Sequence, residues 1–271
     1  LIGTLASISE GAQGGYSVAS NNDGSIVVIG SPKENGPGAV YVYQFVNDAW
    51  VSMGSTINGS NSNERFGHAV DINAQGNRIA IGAPSNDNNS NNSGRVMVYE
   101  LINGQWQQKG STLNGTYNSN LGHTVAINAV GDVLAVGAPY YVNNNIYNAG
   151  LVSVYNFKND QWEKIGSDIK GTINDERLGY SLSISDLGDI IAVGSPFYST
   201  ENYGRVQIFE NQAKSWIQTK SFGGNNENQY MGNAIDLNSD GSIIAIASYK
   251  GNGNQSESGF IEVFHKQMTN W

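Results

Sequence analysis

Five tryptophans, Trp50, Trp106, Trp162, Trp216 and Trp271, stand at near-equal intervals in the 271-residue chain and are the only ones it has. Each lies seven residues after an aromatic (Tyr43, Tyr99, Tyr155, Phe209 or Phe264) that closes a Gly-x-Val/Ile-x-Val/Ile-Tyr/Phe run. So rare a residue type in such register means five copies of one supersecondary unit of about 55 residues.

Aligned, the copies give four extended segments each. The first opens at a glycine and alternates small residues with Val, Leu or Ile: Gly67 to Asn73, matched by Gly15 to Asn21, Gly122 to Asn128, Gly179 to Ser185 and Gly232 to Asn238. This period of two is that of a strand. A short turn ending in Gly24, Gly76, Gly131, Gly188 or Gly241 leads into an apolar run. That run closes with Gly30-Ser31-Pro32, Gly82-Ala83-Pro84, Gly137-Ala138-Pro139 or Gly194-Ser195-Pro196, and with Ala247-Ser248-Tyr249 in the last copy. Proline cannot donate to a ladder and marks the strand exit. The third segment is the run before the aromatic. The fourth begins at the tryptophan, after tight turns such as Asn47-Asp48, Asn103-Gly104 and Asn159-Asp160 that suit hairpin geometry.

Four antiparallel strands repeated radially predict an all-β chain, a five-bladed β-propeller of four-stranded antiparallel blades. It reads as a single domain over 1–271, with blades at approximately 15–59, 67–115, 122–171, 179–224 and 232–271 plus 1–10. The chain stops at Trp271, where a fourth strand should begin, and Leu1 to Ile8 reads as a fourth strand lacking its tryptophan. The N-terminal strand is therefore expected to join the C-terminal blade and close the ring. A linear solenoid is the alternative, and would need capping repeats.

Composition narrows the function. Net charge is −9, which argues against a nucleic-acid partner. No run approaches 18 apolar residues, so no transmembrane segment is read. The absence of cysteine excludes disulfides and thiolate chemistry. Asparagine is abundant, as in Asn88 to Asn92 and Asn143 to Asn145, and reads as filler of solvated loops. Residues 1–30 lack the basic region and long apolar stretch of a signal peptide, consistent with a removed leader or a domain of a longer chain.

Phe66-Gly67 with Gly82-Ala83-Pro84 resembles the FG-GAP repeat, the blade motif of integrin α-subunit propellers and many microbial surface proteins. Leu121-Gly122 with Gly137-Ala138-Pro139 and Leu178-Gly179 with Gly194-Ser195-Pro196 are conservative versions. Gly14-Gly15 with Gly30-Ser31-Pro32 is weaker, and Met231-Gly232 with Ala247-Ser248-Tyr249 is degenerate. Gly67-His68 and Gly122-His123 resemble the WD40 start, but no Trp-Asp follows, and twin glycines are too few for kelch. The resemblance implies seven blades, where five copies imply a narrower ring. It also implies calcium loops between first and second strands. Here those turns (21–24, 73–76, 128–131, 185–188 and 238–241) hold at most one carboxylate before the glycine, too few for calcium, and read as Asx-type turns. No metal and no cofactor are expected.

In an up-and-down blade the short first-to-second and third-to-fourth turns share one face. The long, variable connections lie on the other, which is the candidate binding face. Tyr117, Tyr140, Tyr141, Tyr147, Phe197, Tyr198 and Tyr203 lie in those connections among asparagines, a mixture suited to a protein or glycan ligand. Changing Tyr141 and Tyr198 to alanine is expected to abolish ligand capture and leave the melting temperature nearly unchanged. A second set follows each first-strand glycine: Tyr16, His68, His123, Tyr180 and Asn233, expected at the mouth of the central channel with Arg65 and Arg177 beside them. Two histidines without a third ligand do not make a metal site.

The sequence thus reads as a non-catalytic extracellular or cell-surface recognition module, alone or as part of a larger surface protein or assembly. A structural bead of a filament, coat or adhesin is the alternative. A glycosidase is the lesser one, for which Asp71 and Asp236 would be the carboxylates, although their column (Ala19, Ala126, Ser183) points to hydrogen bonds with a neighbouring sheet. Five Asn-x-Ser/Thr sequons (Asn58, Asn88, Asn91, Asn114 and Asn254) fall on or near the same face.

Overall fold

Alternating burial and well-placed turns fold each copy onto itself as a meander. The computed structural model describes residues 9–253 and 257–267. It shows five antiparallel sheets, the blades of a five-bladed β-propeller, with no helix among the described residues. Blade 1 holds β1 (Ser17–Ser20), β2 (Ile26–Ser31), β3 (Ala39–Val46), β4 (Ala49–Ser52) and β5 (Ile57–Asn58). Blade 2 holds β6 (Ala69–Ile72), β7 (Arg78–Ala83), β8 (Arg95–Ile102), β9 (Gln105–Gln108) and β10 (Leu113–Asn114). Blade 3 holds β11 (Thr124–Ile127), β12 (Val133–Ala138), β13 (Leu151–Lys158), β14 (Gln161–Lys164) and β15 (Ile169–Lys170). Blade 4 holds β16 (Ser181–Ile184), β17 (Ile190–Ser195), β18 (Arg205–Gln212) and β19 (Ser215–Gly223). Blade 5 holds β20 (Met231–Leu237), β21 (Ile243–Ser248) and β22 (Phe260–His265). By contact the chain falls into two compact units. One reaches to Leu134 and includes Phe157–Glu163; the other comprises Ala135–Asn156 and runs on from Lys164.

The turns carry the chemistry their residues suggest. Asn47 and Asp48, Asn103 and Gly104, and Asn159 and Asp160 all have positive φ, the backbone of a type I′ hairpin. Between first and second strands the side chain of the first turn residue accepts from the next strand. Asn21 Oδ1 takes Ile26 N at 2.9 Å, Asn73 Oδ1 takes Arg78 N at 2.9 Å, Asn128 Oδ1 takes Val133 N at 2.8 Å, and Asn238 Oδ1 takes Ile243 N at 2.8 Å. Ser185 Oγ does the same for Ile190 N at 3.1 Å. These are the Asx-type turns read from the sequence.

The fourth strand departs from expectation. In blades 1 to 3 it is two pieces, both on the third strand, so these sheets count five strands rather than four. The break falls at Gly54, Gly110 and Gly166, with φ of +75°, +74° and +69°. The next blade's tryptophan docks there. Trp106 Nε1 donates to Met53 O at 2.8 Å, Trp162 Nε1 to Lys109 O at 3.0 Å, and Trp216 Nε1 to Ile165 O at 3.1 Å. Lys220 stands where the fourth copy would have that glycine, and β19 runs on as one strand. Blade 5 shows three strands among the described residues. Leu1 to Ile8 and Trp271, expected to complete it and close the ring, lie outside those residues.

The two glycines of the motif meet across blades. A Cβ on Gly30 would lie 2.1 Å from Gly67 O, one on Gly82 2.0 Å from Gly122 O, and one on Gly194 2.3 Å from Gly232 O. Only glycine lets second strand and following blade approach so closely. In blades 2 to 5 the residue before the first-strand glycine is buried (Phe66 0%, Leu121 4%, Leu178 1%, Met231 2%). Apolar residues fill the space between: Val28, Val40 and Val42 of blade 1 cluster with Phe66, Val70 and Ile81 of blade 2. Ala192, Val206 and Ile208 of blade 4 cluster likewise with Met231, Ile244 and Ile246 of blade 5.

Candidate functional site

One tight turn, repeated five times, builds the candidate site. Its residue two before the first-strand glycine takes a left-handed backbone: Gln13 (φ 60°), Arg65 (61°), Asn120 (52°), Arg177 (53°) and Tyr230 (53°). The carbonyl of each accepts from the amide of the residue after the glycine: Tyr16, His68, His123, Tyr180 or Asn233. A side chain from each column is thus held beside one from the other. For a residue other than glycine this backbone costs about 1 kcal/mol, so the surroundings must enforce it.

The enforcement is visible one residue earlier. Glu64 and Glu176 are 0% exposed. Glu64 Oε1 accepts from Ser60 N at 2.7 Å and Asn61 N at 3.2 Å, and Oε2 from Asn86 Nδ2 at 2.6 Å and Arg95 Nη2 at 2.7 Å. Glu176 takes Thr172 N at 2.7 Å and pairs with Arg205. Gln229 repeats the backbone part, accepting Asn225 N at 2.9 Å. Each such side chain anchors the foot of the loop that enters its blade.

In the first unit, Tyr16 and His68 rings lie 4.8 Å apart and His68 and His123 rings 5.0 Å apart, with the Arg65 guanidinium 5.4 Å from the Tyr16 ring. His68 is buried, and burial first, then the His123 and Arg65 charges, pushes its pKa down to about 3. It is therefore a neutral imidazole near pH 7. Its Nδ1 and Arg65 Nε are buried without a hydrogen-bond partner. Among the described residues no three His, Asp or Glu side chains gather as a metal site.

The second unit holds a row of rings: Tyr180 to Phe197 at 5.5 Å, Phe197 to Tyr230 at 5.5 Å, and Tyr230 to Tyr249 at 5.2 Å. Arg177 lies 4.2 Å from the Phe197 ring and 5.1 Å from that of Tyr140, and Lys250 flanks Tyr230 and Tyr249. Tyr180 and Phe197 belong to the sequence-derived sets. Tyr230 and Tyr249 do not, because their equivalents in other copies (Arg65, Arg177; Pro32, Pro84) are not aromatic. Asn233, with its amide on Tyr230 O at 3.3 Å, is half-buried beside the row.

The loop aromatics separate into two groups. Tyr117 and Tyr147 are 64% and 63% exposed. Tyr140, Tyr141, Phe197, Tyr198 and Tyr203 are half-buried, and the first four face cations: Lys170 is 5.5 Å from the Tyr141 ring and Arg205 3.9 Å from that of Tyr198. Arg205 also pairs with Glu176, so the Tyr198 ring lies against a group that anchors the frame. The asparagines are not filler. Among the described residues they hold 13 of the 24 positive-φ positions outside glycine. They also clip loop to loop, as in Asn61 to Asn88 (3.0 Å), Asn89 to Gly115 O (2.7 Å), Asn143 to Gly171 O (3.0 Å) and Asn148 to Asp175 (2.7 Å). Beside them Asn88, Asn89, Arg95, Thr112 and Asn114 line a cleft of about 290 Å³. Asn58, Asn88, Asn91 and Asn114 of the sequons are exposed; Asn254 lies outside the described residues.

Asp71 and Asp236 serve the frame. Asp71 Oδ2 accepts from Ile127 N of the next blade at 2.7 Å, and Asp236 Oδ1 from Ser183 Oγ of the preceding one at 3.1 Å.

Comparison with known proteins agrees with this architecture. The family model of the FG-GAP repeat matches residues 56–99. Integrin alpha-11 of Homo sapiens is 29% identical over 161 residues, 54% of this chain and 13% of its own length. Integrin alpha-6 of Gallus gallus is 27% identical over 197 residues, 64% of this chain and 18% of its own. Integrin alpha-6 of Homo sapiens is 29% identical over 187 residues, 61% and 16%. The matched segments thus amount to less than a fifth of each integrin subunit.

Proposed function

We propose that the chain is an FG-GAP-repeat protein similar to integrin α subunits and, on that premise, a non-catalytic recognition module working outside the cell or at its surface. Its long Tyr- and Asn-rich connections bind a protein or glycan partner. The observation that carries this reading is the ring row Tyr180–Phe197–Tyr230–Tyr249 in the second unit, flanked by Arg177 and Lys250 and set on anchored loops. Aromatic faces give contact area at little entropic cost, and neighbouring cations and amides give direction. Exposed Tyr147 and Tyr249 extend the surface. A glycosidase would need two carboxylates free to converge on a sugar, whereas Asp71 and Asp236 are held by adjoining blades.

The test is a mixed glycan and surface-protein binding screen, with and without calcium. The Tyr147→Ala/Tyr249→Ala variant is expected to weaken capture of any ligand found by about tenfold or more, a loss of at least about 1.4 kcal/mol. Its thermal unfolding should match that of the parent. Undiminished capture would overturn the assignment of this surface.

A further inference from the structure

Blade 4 departs from its fellows at the start of its fourth strand. In blades 1 to 3 the tryptophan there lies beside an apolar residue of the third strand. Phe45 stands opposite Trp50 and Leu101 opposite Trp106, and the Phe157 ring is 5.2 Å from that of Trp162. In blade 4 the residue opposite Trp216 is Asn211, which gives the indole less apolar cover. Trp162 is 6% exposed, whereas Trp216 is half-buried. The bond from Trp216 Nε1 to Ile165 O at 3.1 Å holds the ring in place.

Two further changes fall at the same place. The residue before the tryptophan is Gln105 in blade 2 and Gln161 in blade 3, but Ser215 in blade 4. In blade 2 that glutamine reaches the preceding blade, where Ser55 Oγ donates to its Oε1 at 2.8 Å. Ser215 is too short to span such a gap. Two residues after the glycine that breaks the fourth strand, blades 1 and 2 carry Thr56 and Thr112, and blade 3 carries Asp168. Ser167, Asp168, Ile169, Phe209, Ser215 and Trp216 line a cleft of about 230 Å³, wholly within the second unit. Asp168 Oδ1 accepts from Ser153 Oγ at 2.5 Å and from Lys164 Nζ at 2.6 Å. Its Oδ2 takes part in no hydrogen bond among the described residues, and the side chain is 21% exposed.

We infer that this cleft is a second binding site, which takes one ring of a neutral sugar. The Trp216 indole supplies apolar area for the C–H face of a pyranose. Asp168 Oδ2 accepts from a sugar hydroxyl as a charge-assisted bond, and the Ser167 and Ser215 hydroxyls both donate and accept. Charge decides between a neutral ligand and a cation. Lys164 already balances Asp168, so a cation would meet little net attraction, whereas a hydroxyl needs only the oxygen left over. Size points the same way. The cleft is smaller than the ~300–1,000 Å³ of sites for drug-sized ligands and suits a single ring. It shares no residue with the row of Tyr180, Phe197, Tyr230 and Tyr249, so the two sites stand or fall separately.

The chain itself supplies the substitutions that test this. Ser215→Gln restores the residue of blades 2 and 3, and Asp168→Thr restores that of blades 1 and 2, so each variant is expected to unfold thermally as the parent does. D-galactose, D-mannose and N-acetyl-D-glucosamine are each titrated to about 10 mM and followed by saturation-transfer NMR. At least one is expected to bind the parent. Its dissociation constant should rise by about tenfold or more in Ser215→Gln and in Asp168→Thr, and stay unchanged in Tyr147→Ala/Tyr249→Ala. Failure of all three sugars to bind the parent, or binding that neither substitution weakens, would overturn the inference. So would tetramethylammonium binding more tightly than any of the sugars, because the cleft would then select a cation.

Discussion

Glu64 shows how a buried charge can be structural rather than catalytic. Two backbone amides, an asparagine amide and Arg95 meet its carboxylate, and Glu64, Asn86 and Arg95 are buried. Removing one member leaves the others unpaired in a dry site, so Glu64→Ala is expected to cost about 3 kcal/mol in urea unfolding. Replacing Glu176 and Arg205 together by Gln and Leu should cost less than Glu176→Ala alone. The signal was present in the sequence. Copies 2 and 4 pair Glu, three before the first-strand glycine, with Arg after the third-strand glycine. The other copies carry Ala12 with Ala39, Ser119 with Leu151 and Gln229 with Phe260. His68 gives a pH signature. Its folded pKa is lowered to about 3 from 6.5, so the unfolded chain binds the extra proton as pH falls. Stability from this group is full above about pH 6.5 and declines toward pH 3, by at most about 1.4 kcal/mol per pH unit. Thermal melts of His68→Phe should show a flatter dependence between those limits than the parent.

Strands and hairpins were legible because the sequence repeats their cause: alternating side chains, Asx residues at the turn and proline at the exit. The split fourth strand was not. It depends on Trp106, Trp162 and Trp216 reaching back to a carbonyl in the preceding blade, and no local rule reports a partner some 50 residues away. The glycine pairs are equally non-local. Gly82→Ala would place a methyl 2.0 Å from the Gly122 carbonyl, backbone on both sides with no rotamer to yield. A loss of about 3 kcal/mol or more is expected, measured by denaturant unfolding. The candidate site was half legible for a related reason. Columns that recur, such as Tyr16, His68 and Tyr180, are found by alignment. Tyr230 and Tyr249 have no aromatic counterparts to align with and come together only once the chain is folded.

At the scale of the molecule, stability is distributed by blade, since each sheet buries its faces on its neighbours. In β22 Ile261 and Val263 are 70% and 66% exposed, whereas in β18 Val206 and Ile208 are 0% exposed, and β21–β22 pairing is otherwise as regular as β17–β18 pairing. Hydrogen exchange in dilute solution is therefore expected to proceed sooner at β22 than at β18. Equal protection would mean that this exposure contributes nothing to local opening. The anchored loops carry a consequence of a different kind. With Glu64 fastening the foot of its loop and Asn63 N bonded to Gly36 O at 3.1 Å, exposed Ser62 stands at a tip held on both sides. A foreign peptide grafted at Ser62 would be displayed in a fixed orientation, which makes the chain a ready host for engineered binders.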